Sequence, residues 1–223
     1  ASGQLPVVFN NDTMASILAT FSGVFSAKSI QEGRSLLKGR LGATIASEIV
    51  NIIDDAHHSD GMSTSPFDSE GYPTQRTALV ENGKLKSFLH NTVTAAIDNT
   101  KSTGNAARGY KGPLSVSPSN FYIQPDNHTV EELVSAYDEI IEIVDLQGLH
   151  SGANPISGDF SLSAEGFQWR NGKKVGGLSN FTISGNFFRL LENTEMIGNN
   201  FKFNTTGCGA PSVLVNKMSI SSK

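Results

Sequence analysis

Apolar residues recur at spacings of three and four near the start of the chain. The recurrence follows Asn11 and Asp12, either of which can cap a helix, and extends to about Lys28 through Met14, Ile17, Leu18, Phe21 and Phe25. Residues at these spacings lie on one face of a helix. The pattern therefore predicts an amphipathic helix, followed by a short helical piece at Ser35–Leu37 and a β-branched, strand-like stretch at Glu48–Asp54.

Two Asn-Gly pairs separate short runs of strand-forming residues. Asn82–Gly83 lies between the runs 77–80 and 85–89, and Asn171–Gly172 lies between the runs 167–170 and 173–175. Asn and Gly both tolerate the positive φ angles that a two-residue hairpin turn requires. We therefore predict two antiparallel hairpins.

The second half of the chain alternates helix and strand signals. Thr129 and Glu132 have the spacing of a capping box, which predicts a helix running through Tyr137 and then a strand at Ile140–Val144. A last helix is predicted at Asn186–Met196, before two alternating, strand-like segments at Phe201–Phe203 and Ser212–Ile220. The polar stretch from Asp55 to Pro73 is predicted to be a long exposed loop, and loops of that length are often functional.

These elements predict an α+β fold that is strand-rich, with a mostly antiparallel sheet or barrel-like core and a few packed helices. The chain has 223 residues, of which 38% are hydrophobic, enough to bury one substantial core. We therefore expect a single domain over residues 1–223. Because the chain begins Ala-Ser-Gly without methionine, an amino-terminal domain is expected to be missing from it.

Composition excludes several classes of partner. The net charge is −4 and no basic run exceeds two residues, so the chain lacks the phosphate-neutralising surface that nucleic acid requires. Its apolar runs are far too short to span a membrane, so we expect no membrane partner either. The single cysteine, Cys208, excludes an internal disulfide and is typical of a reducing compartment, which predicts a cytoplasmic location.

The segment Asp54–Asp60 holds five side chains able to bind a metal within seven residues. Adjacent histidines on an extended chain point to opposite faces, so only one of His57 and His58 can easily join a given ion. Asp55, His57, His58 and Cys208 are therefore secondary candidates for metal ligands. The simpler interpretation, which we adopt, is a solvated loop with no metal.

Six segments resemble, in order, motifs of the PmbA/TldD family, whose members were once called modulators of DNA gyrase and are understood as peptide-processing metalloproteases. The resemblance covers nearly the whole chain and implies the carboxy-terminal domain of such a protein. The segments are Gly33–Gly42, Phe67–Thr77, Glu81–Lys86, Ser102–Asn105, Gly158–Ser161 and Ile183–Asn186.

The chain departs from the peptidase subunits of that family at one place. TldD-type subunits carry His-Glu-x-x-x-His on the helix before the Gly-Arg-Ser-like segment, and a late cysteine completes their zinc site. Here that helix reads Leu18–Phe25 and contains neither histidine nor glutamate, although Cys208 stands where the late cysteine is expected. The resemblance therefore implies a PmbA/TldE-type subunit that has no catalytic residues, carries no cofactor and is inactive alone, with zinc in a TldD-type partner.

The resemblance further implies a dimer, either with a TldD-type peptidase subunit or with a second copy of this chain, that processes or degrades unfolded peptides. An exposed strand edge can bind an extended peptide by strand addition. Ser102, Thr103, Gly104, Asn105 and Arg108 are the residues expected to line the peptide cleft. Two alternatives stay open: a metallopeptidase active by itself through an atypical metal site, and a stand-alone homodimeric peptide-binding module.

Overall fold

The computed structural model describes residues 3–221. Its helices are α1 Asn11–Phe21, α2 Ala27–Gln31, α3 Thr92–Ile97, α4 Val130–Ser135, α5 Leu149–Gly152 and α6 Phe187–Glu192, with a 3-10 turn at Ser22–Phe25. Its strands are β1 Gly3–Phe9, β2 Ile52–Asp55, β3 Arg76–Glu81, β4 Lys84–Leu85, β5 Ala106–Ala107, β6 Ser115–Val116, β7 Phe121–Ile123, β8 Glu139–Gln147, β9 Asp159–Arg170, β10 Lys173–Asn186, β11 Thr194–Ile197, β12 Lys202–Phe203, β13 Cys208–Ala210 and β14 Val213–Ser221.

One sheet closes into a five-stranded barrel. Its strands follow the order β1-β8-β9-β10-β14, and β14 pairs back onto β1, with Val8 opposite Leu214. The β1–β8 pairing is parallel and the other pairings around the barrel are antiparallel. Closure satisfies the backbone groups that an open sheet leaves at its edges. Strand β11 pairs with the part of β14 that β10 does not reach.

A second sheet has the order β12-β13-β7-β2-β3-β4. Its β13–β7 pairing is parallel and its other pairings are antiparallel. Across three of its strands Cys208 lies opposite Phe121, which lies opposite Asp54. This register places two buried titratable groups, Cys208 and Asp54, on neighbouring parts of one sheet. A separate two-stranded hairpin, β5–β6, stands beside it.

Helix α1 joins the two sheets into one core. It contacts β8 and β1 of the barrel and β13, β7 and β12 of the second sheet. Phe21 stacks on Phe187 with ring centroids 4.8 Å apart, and Phe25 meets Phe121 at 5.7 Å. All four rings are fully buried. The helix is therefore buried by sheet on more than one side, which explains its apolar composition.

The strand-rich α+β fold with a barrel-like core confirms the sequence prediction, and so do its most local features. Asn82 and Gly83 have φ angles of 48° and 73°, and Asn171 and Gly172 have 47° and 69°, as the predicted hairpin turns require. Thr129 and Glu132 form the predicted capping box at the start of α4. In residues 3–221, none of the helices combines the length and apolarity that crossing a bilayer needs.

The prediction of a short helix at Ser35–Leu37 is wrong. Gly33 and Gly39 have φ angles of 70° and 73°, so the chain reverses on both sides and forms successive turns. The Ser35 hydroxyl donates to the Val24 carbonyl at 2.8 Å, and Leu37 is buried in the core. Tertiary contacts therefore fix this segment in place of helical hydrogen bonds.

Several element boundaries also differ from the prediction. Asn10, not Asn11 or Asp12, caps α1, and its side chain accepts from the Thr13 amide. The first helical run is three pieces, because a 3-10 turn separates α1 from α2. Helix α4 ends before Tyr137, strand β2 begins only at Ile52, and α6 ends at Glu192 because 194–197 pairs with β14.

Candidate functional site

A cleft of about 640 Å³ opens where β2 ends. Three chain segments form its walls: the long loop after β2, the turn leading into β5, and the segment from β6 to β7. The long exposed loop predicted between Asp55 and Pro73 supplies one complete wall. Hydroxyl groups are the most frequent polar groups of the lining, at Ser63, Ser65, Ser69, Thr74, Ser115, Ser117 and Ser119.

A buried carboxylate, Asp54, holds two of these walls together. It is 1% exposed, and Asn105 Nδ2 donates to its Oδ2 at 2.6 Å. The Ser119 amide donates to Oδ1 at 2.7 Å and the Ser119 hydroxyl to Oδ2 at 3.0 Å. Burial raises the pKa of Asp54 to about 6, although the bonds from Asn105 and Ser119 favour its charged form. Both donor residues line the cleft, so Asp54 holds two parts of the cleft wall in place from within.

A second layer of polar contacts supports Asn105 from behind. The Thr103 hydroxyl lies 2.6 Å from Asn105 Oδ1 and accepts from the His90 amide at 2.7 Å. Ser102 donates its hydroxyl proton to the His90 carbonyl at 3.1 Å. Gly104 has a φ of 74°, and a Cβ there would come within 2.5 Å of the Pro73 carbonyl oxygen. Glycine is therefore required where this turn meets the end of the long loop.

The predicted cleft-lining residues thus fall into two groups. Gly104, Asn105 and Arg108 line the cleft, whereas Ser102 and Thr103 are each 6% exposed and lie behind it. Their binding of a peptide stays a prediction. In the sequence, Asp54 stands with other metal-binding side chains, and the one sign of its buried role is that this carboxylate directly continues the buried pair Ile52–Ile53.

The structure gives the three candidate metal ligands of the long loop, Asp55, His57 and His58, other partners. Asp55 accepts from the His57 amide at 2.9 Å and lies 3.8 Å from Arg76 Nε. His57 Nε2 lies 3.0 Å from the Thr74 hydroxyl. His58 packs edge-on against Tyr122 and Phe203, with ring centroids 5.3 and 4.9 Å apart. Nowhere in residues 3–221 do three or more His, Cys, Asp or Glu side chains come together to hold a metal.

Cys208 lies in a different environment, on β13 beneath helix α1. It is 5% exposed and belongs to the same apolar cluster as Leu18 and Phe21 of that helix. Burial raises the pKa of its thiol to about 11, so it carries its proton at neutral pH. A metal ligand must be a thiolate and needs further donors beside it.

Comparison with known proteins places this architecture in a class of metallopeptidase domains. A protein-family model described as "PmbA/TldA metallopeptidase C-terminal domain" matches residues 2–222. The chain belongs to the PmbA/TldD family, which confirms the resemblance seen in its motifs.

Solved structures share the whole fold. One is a Thermotoga maritima protein described as a candidate modulator of a DNA gyrase, with 38% identity, a TM-score of 0.93, and coverage of 99% of this chain and 50% of that one. Another is TldE from Thermococcus kodakarensis, with 26% identity, a TM-score of 0.91, and coverage of 99% and 51%.

Curated relatives include a metalloprotease from Archaeoglobus fulgidus, 31% identical over 96% of this chain and 50% of that protein. Metalloprotease PmbA from Escherichia coli O157:H7 is 28% identical over 97% of this chain and 46% of that protein. The chain thus spans about half the length of the curated relatives it matches.

Zinc is the metal that the family resemblance implies, and the residues beneath α1 do not fit it. The helix that should supply two histidines and a glutamate offers none. Cys208 is the single cysteine of the sequence, and it lies among apolar side chains with no group of His, Asp or Glu beside it in residues 3–221. A lone neutral thiol cannot supply the three or four charged or imidazole ligands that zinc takes.

Proposed function

We propose that this chain is the carboxy-terminal part of a non-catalytic partner subunit in a TldD/TldE-type zinc metalloprotease complex. In this proposal it pairs with a TldD-type subunit, which holds the zinc and cleaves the peptide. The chain contributes a surface that admits and positions unfolded peptide. The observation that carries the proposal is the apolar contact between α1 and the strand of Cys208, at the place where the resemblance implies zinc in a peptidase subunit.

The apolar packing of α1 supports a structural role for this helix. Met14, Ile17 and Leu18 are fully buried, and burying these side chains stabilises the fold by about 1.5–3 kcal/mol each. Charged zinc ligands at such positions would need metal or another charge to offset their desolvation. The helix therefore suits a domain whose core does not depend on an ion.

The cleft beside Asp54 supports the peptide-handling part of the proposal. Its volume of about 640 Å³ accommodates a few residues of an extended chain, and its hydroxyl-rich walls can bond to a peptide backbone without selecting a sequence. The fold similarity to TldE from Thermococcus kodakarensis favours the same subunit type, since the two share 26% identity over 99% of this chain.

The test is to mix this protein with the TldD-type protein of its own organism. Light scattering after gel filtration measures whether a mixed complex forms, and cleavage of a disordered peptide measures activity. We expect a stable hetero-complex, with cleavage in the mixture and none by this chain alone. Cleavage of the peptide by this chain alone, at the rate of the mixture, would contradict the proposal and favour a metallopeptidase that is active by itself. A homodimer that ignores the TldD-type protein would favour a stand-alone peptide-binding module.

Matched variants sharpen the same test. Cys208→Ala in this chain should leave cleavage by the mixture unchanged, because the thiol is not a ligand in the proposed complex. Replacing a zinc-ligand histidine in the TldD-type subunit should abolish cleavage. If Cys208→Ala removes cleavage while thermal unfolding shows an intact fold, the thiol takes part in the metal site and the proposal fails.

A further inference from the structure

One carboxylate, Asp68, lines the cleft and a second, Asp54, is buried behind it, and both are already bonded to donors of this chain. Asp54 accepts three hydrogen bonds from Asn105 and Ser119. Asp68 accepts three backbone amides, from Glu70 and Tyr72 on Oδ1 and from Ala106 on Oδ2, at 2.9–3.0 Å. Their charges are thereby committed to holding the walls together. Neither group has to find a partner in a ligand.

Arg108 differs from both carboxylates. It lies at the end of β5, lines the cleft and is exposed. Within the described residues 3–221 its guanidinium forms no hydrogen bond and no ion pair. An arginine fork presents several donors in one plane and binds a carboxylate through two parallel bonds. Arg108 therefore leaves one positive charge in the cleft available to a ligand.

An apolar surface lies in the same cleft, on the long loop that bonds to β5 through the Ser69 amide and the Ala106 carbonyl. Phe67 lines the same cleft and is 59% exposed. An exposed phenylalanine inside a cleft gains by contact with another apolar side chain. The cleft thus combines one cation, one aromatic face and many hydroxyls, which together match a carboxylate attached to a peptide residue with an apolar side chain.

We propose that this cleft binds peptides through a carboxylate, with Arg108 as the anchor and Phe67 as the contact for a neighbouring apolar side chain. The inference rests on the proposed peptide-handling function and names the chemistry that the cleft selects. The carboxylate can be the peptide carboxy terminus or an internal Asp or Glu. Both sources present the same planar anion to the guanidinium.

Fluorescence anisotropy on this protein alone tests the inference without needing a partner subunit. The probe is a labelled, unstructured ten-residue peptide ending in leucine, compared with its carboxy-terminal amide and with versions in which an internal Glu is Gln. We expect removal of the recognised carboxylate to weaken binding about tenfold, the loss of one charge-assisted pair. Arg108→Gln should produce the same loss and remove the difference between the peptides.

Lys111→Gln is the matched control, because Lys111 is on the same loop but does not line the cleft. This variant should still bind the peptide that has the carboxylate more tightly than the peptide that lacks it. Arg108→Lys should show the same preference, but a smaller one. Loss on amidation assigns the site to the peptide terminus, and loss only on the internal Glu→Gln change assigns it to a side chain. Equal binding of all peptides, no binding of any, or full preference in Arg108→Gln would overturn the inference. Cleavage of the amidated peptide by the mixture with the TldD-type protein tests the proposed complex independently of the carboxylate site.

Discussion

Cys208 and Asp54 lie two strands apart in one sheet, and Cys208 has mainly apolar neighbours whereas Asp54 accepts hydrogen bonds from two residues. Phe121 pairs with both residues, and burial raises the pKa of each group. Around Cys208 the neighbours are mostly apolar residues of α1 and the core, with one hydrogen bond between the thiol and the Thr206 side chain. Around Asp54 they are Asn105 and Ser119, whose own side chains reach the cleft. A buried titratable group indicates a site only where other polar groups converge on it.

The largest effect is expected on the apolar side. Phe21→Ala removes a fully buried ring that stacks on Phe187 and contacts Phe160. The free energy of unfolding should fall by about 3–5 kcal/mol, because the core cannot close over the missing ring. Urea unfolding measures the change. Phe67→Ala, which removes an exposed ring, should lower the free energy of unfolding by less than about 0.5 kcal/mol. Equal losses in the two variants would show that the ring of Phe21 contributes no more to the core than an exposed ring does.

The polar side should respond to pH. The folded pKa of Asp54 is about 6, whereas the pKa of an ordinary, solvated aspartate is 3.8, so between these pH values the folded state holds one more proton than the unfolded state. Stability from this group is therefore greatest below pH 3.8 and is lost as pH rises through 6. Relative to Asp54→Asn, the wild-type free energy of unfolding should fall by about 2–3 kcal/mol between pH 4 and pH 7.

Denaturant titrations at several pH values test this dependence. Asp126→Asn, at an exposed position, should unfold with the same pH profile as the wild type in this range. An Asp54→Asn profile parallel to that of the wild type would show that the carboxylate is not desolvated, and the comparison with Cys208 would lose its basis.

A smaller effect is expected behind the cleft. Thr103→Val keeps the shape of a buried side chain but removes the hydroxyl that meets Asn105 and the His90 amide. The stability loss should be about 1–2 kcal/mol, since the His90 amide and Asn105 oxygen lose a partner. Thr100→Val, at an exposed site nearby, is the control. A loss equal to that of the control would mean that the second polar layer does not hold Asn105.

Sequence patterns predicted the features that depend on a few adjacent residues. The Asn-Gly turns and the Thr129 capping box are confirmed because their chemistry is complete within four residues. The Ser35–Leu37 helix is wrong because a distant carbonyl and the core bind that segment instead. Barrel closure by β1 and β14 joins the two ends of the described chain, and no local pattern specifies such a pairing.

The candidate site shows the same limit. The family resemblance predicts Gly104, Asn105 and Arg108 in a cleft, whereas sequence proximity associates Asp54 with metal-binding side chains. Its partners Asn105 and Ser119 lie 51 and 65 residues further along the chain. Only the folded sheet brings the three together, so single-sequence reasoning had no access to this network.

The most direct test of the central claim is the zinc content of this protein purified alone. The protein is incubated with excess zinc, desalted and analysed by plasma mass spectrometry. We expect far less than one zinc per chain, and no change in Cys208→Ala, because the apolar contact between α1 and β13 leaves no ligand set. One tightly bound zinc per chain that Cys208→Ala removes would contradict the partner-subunit assignment.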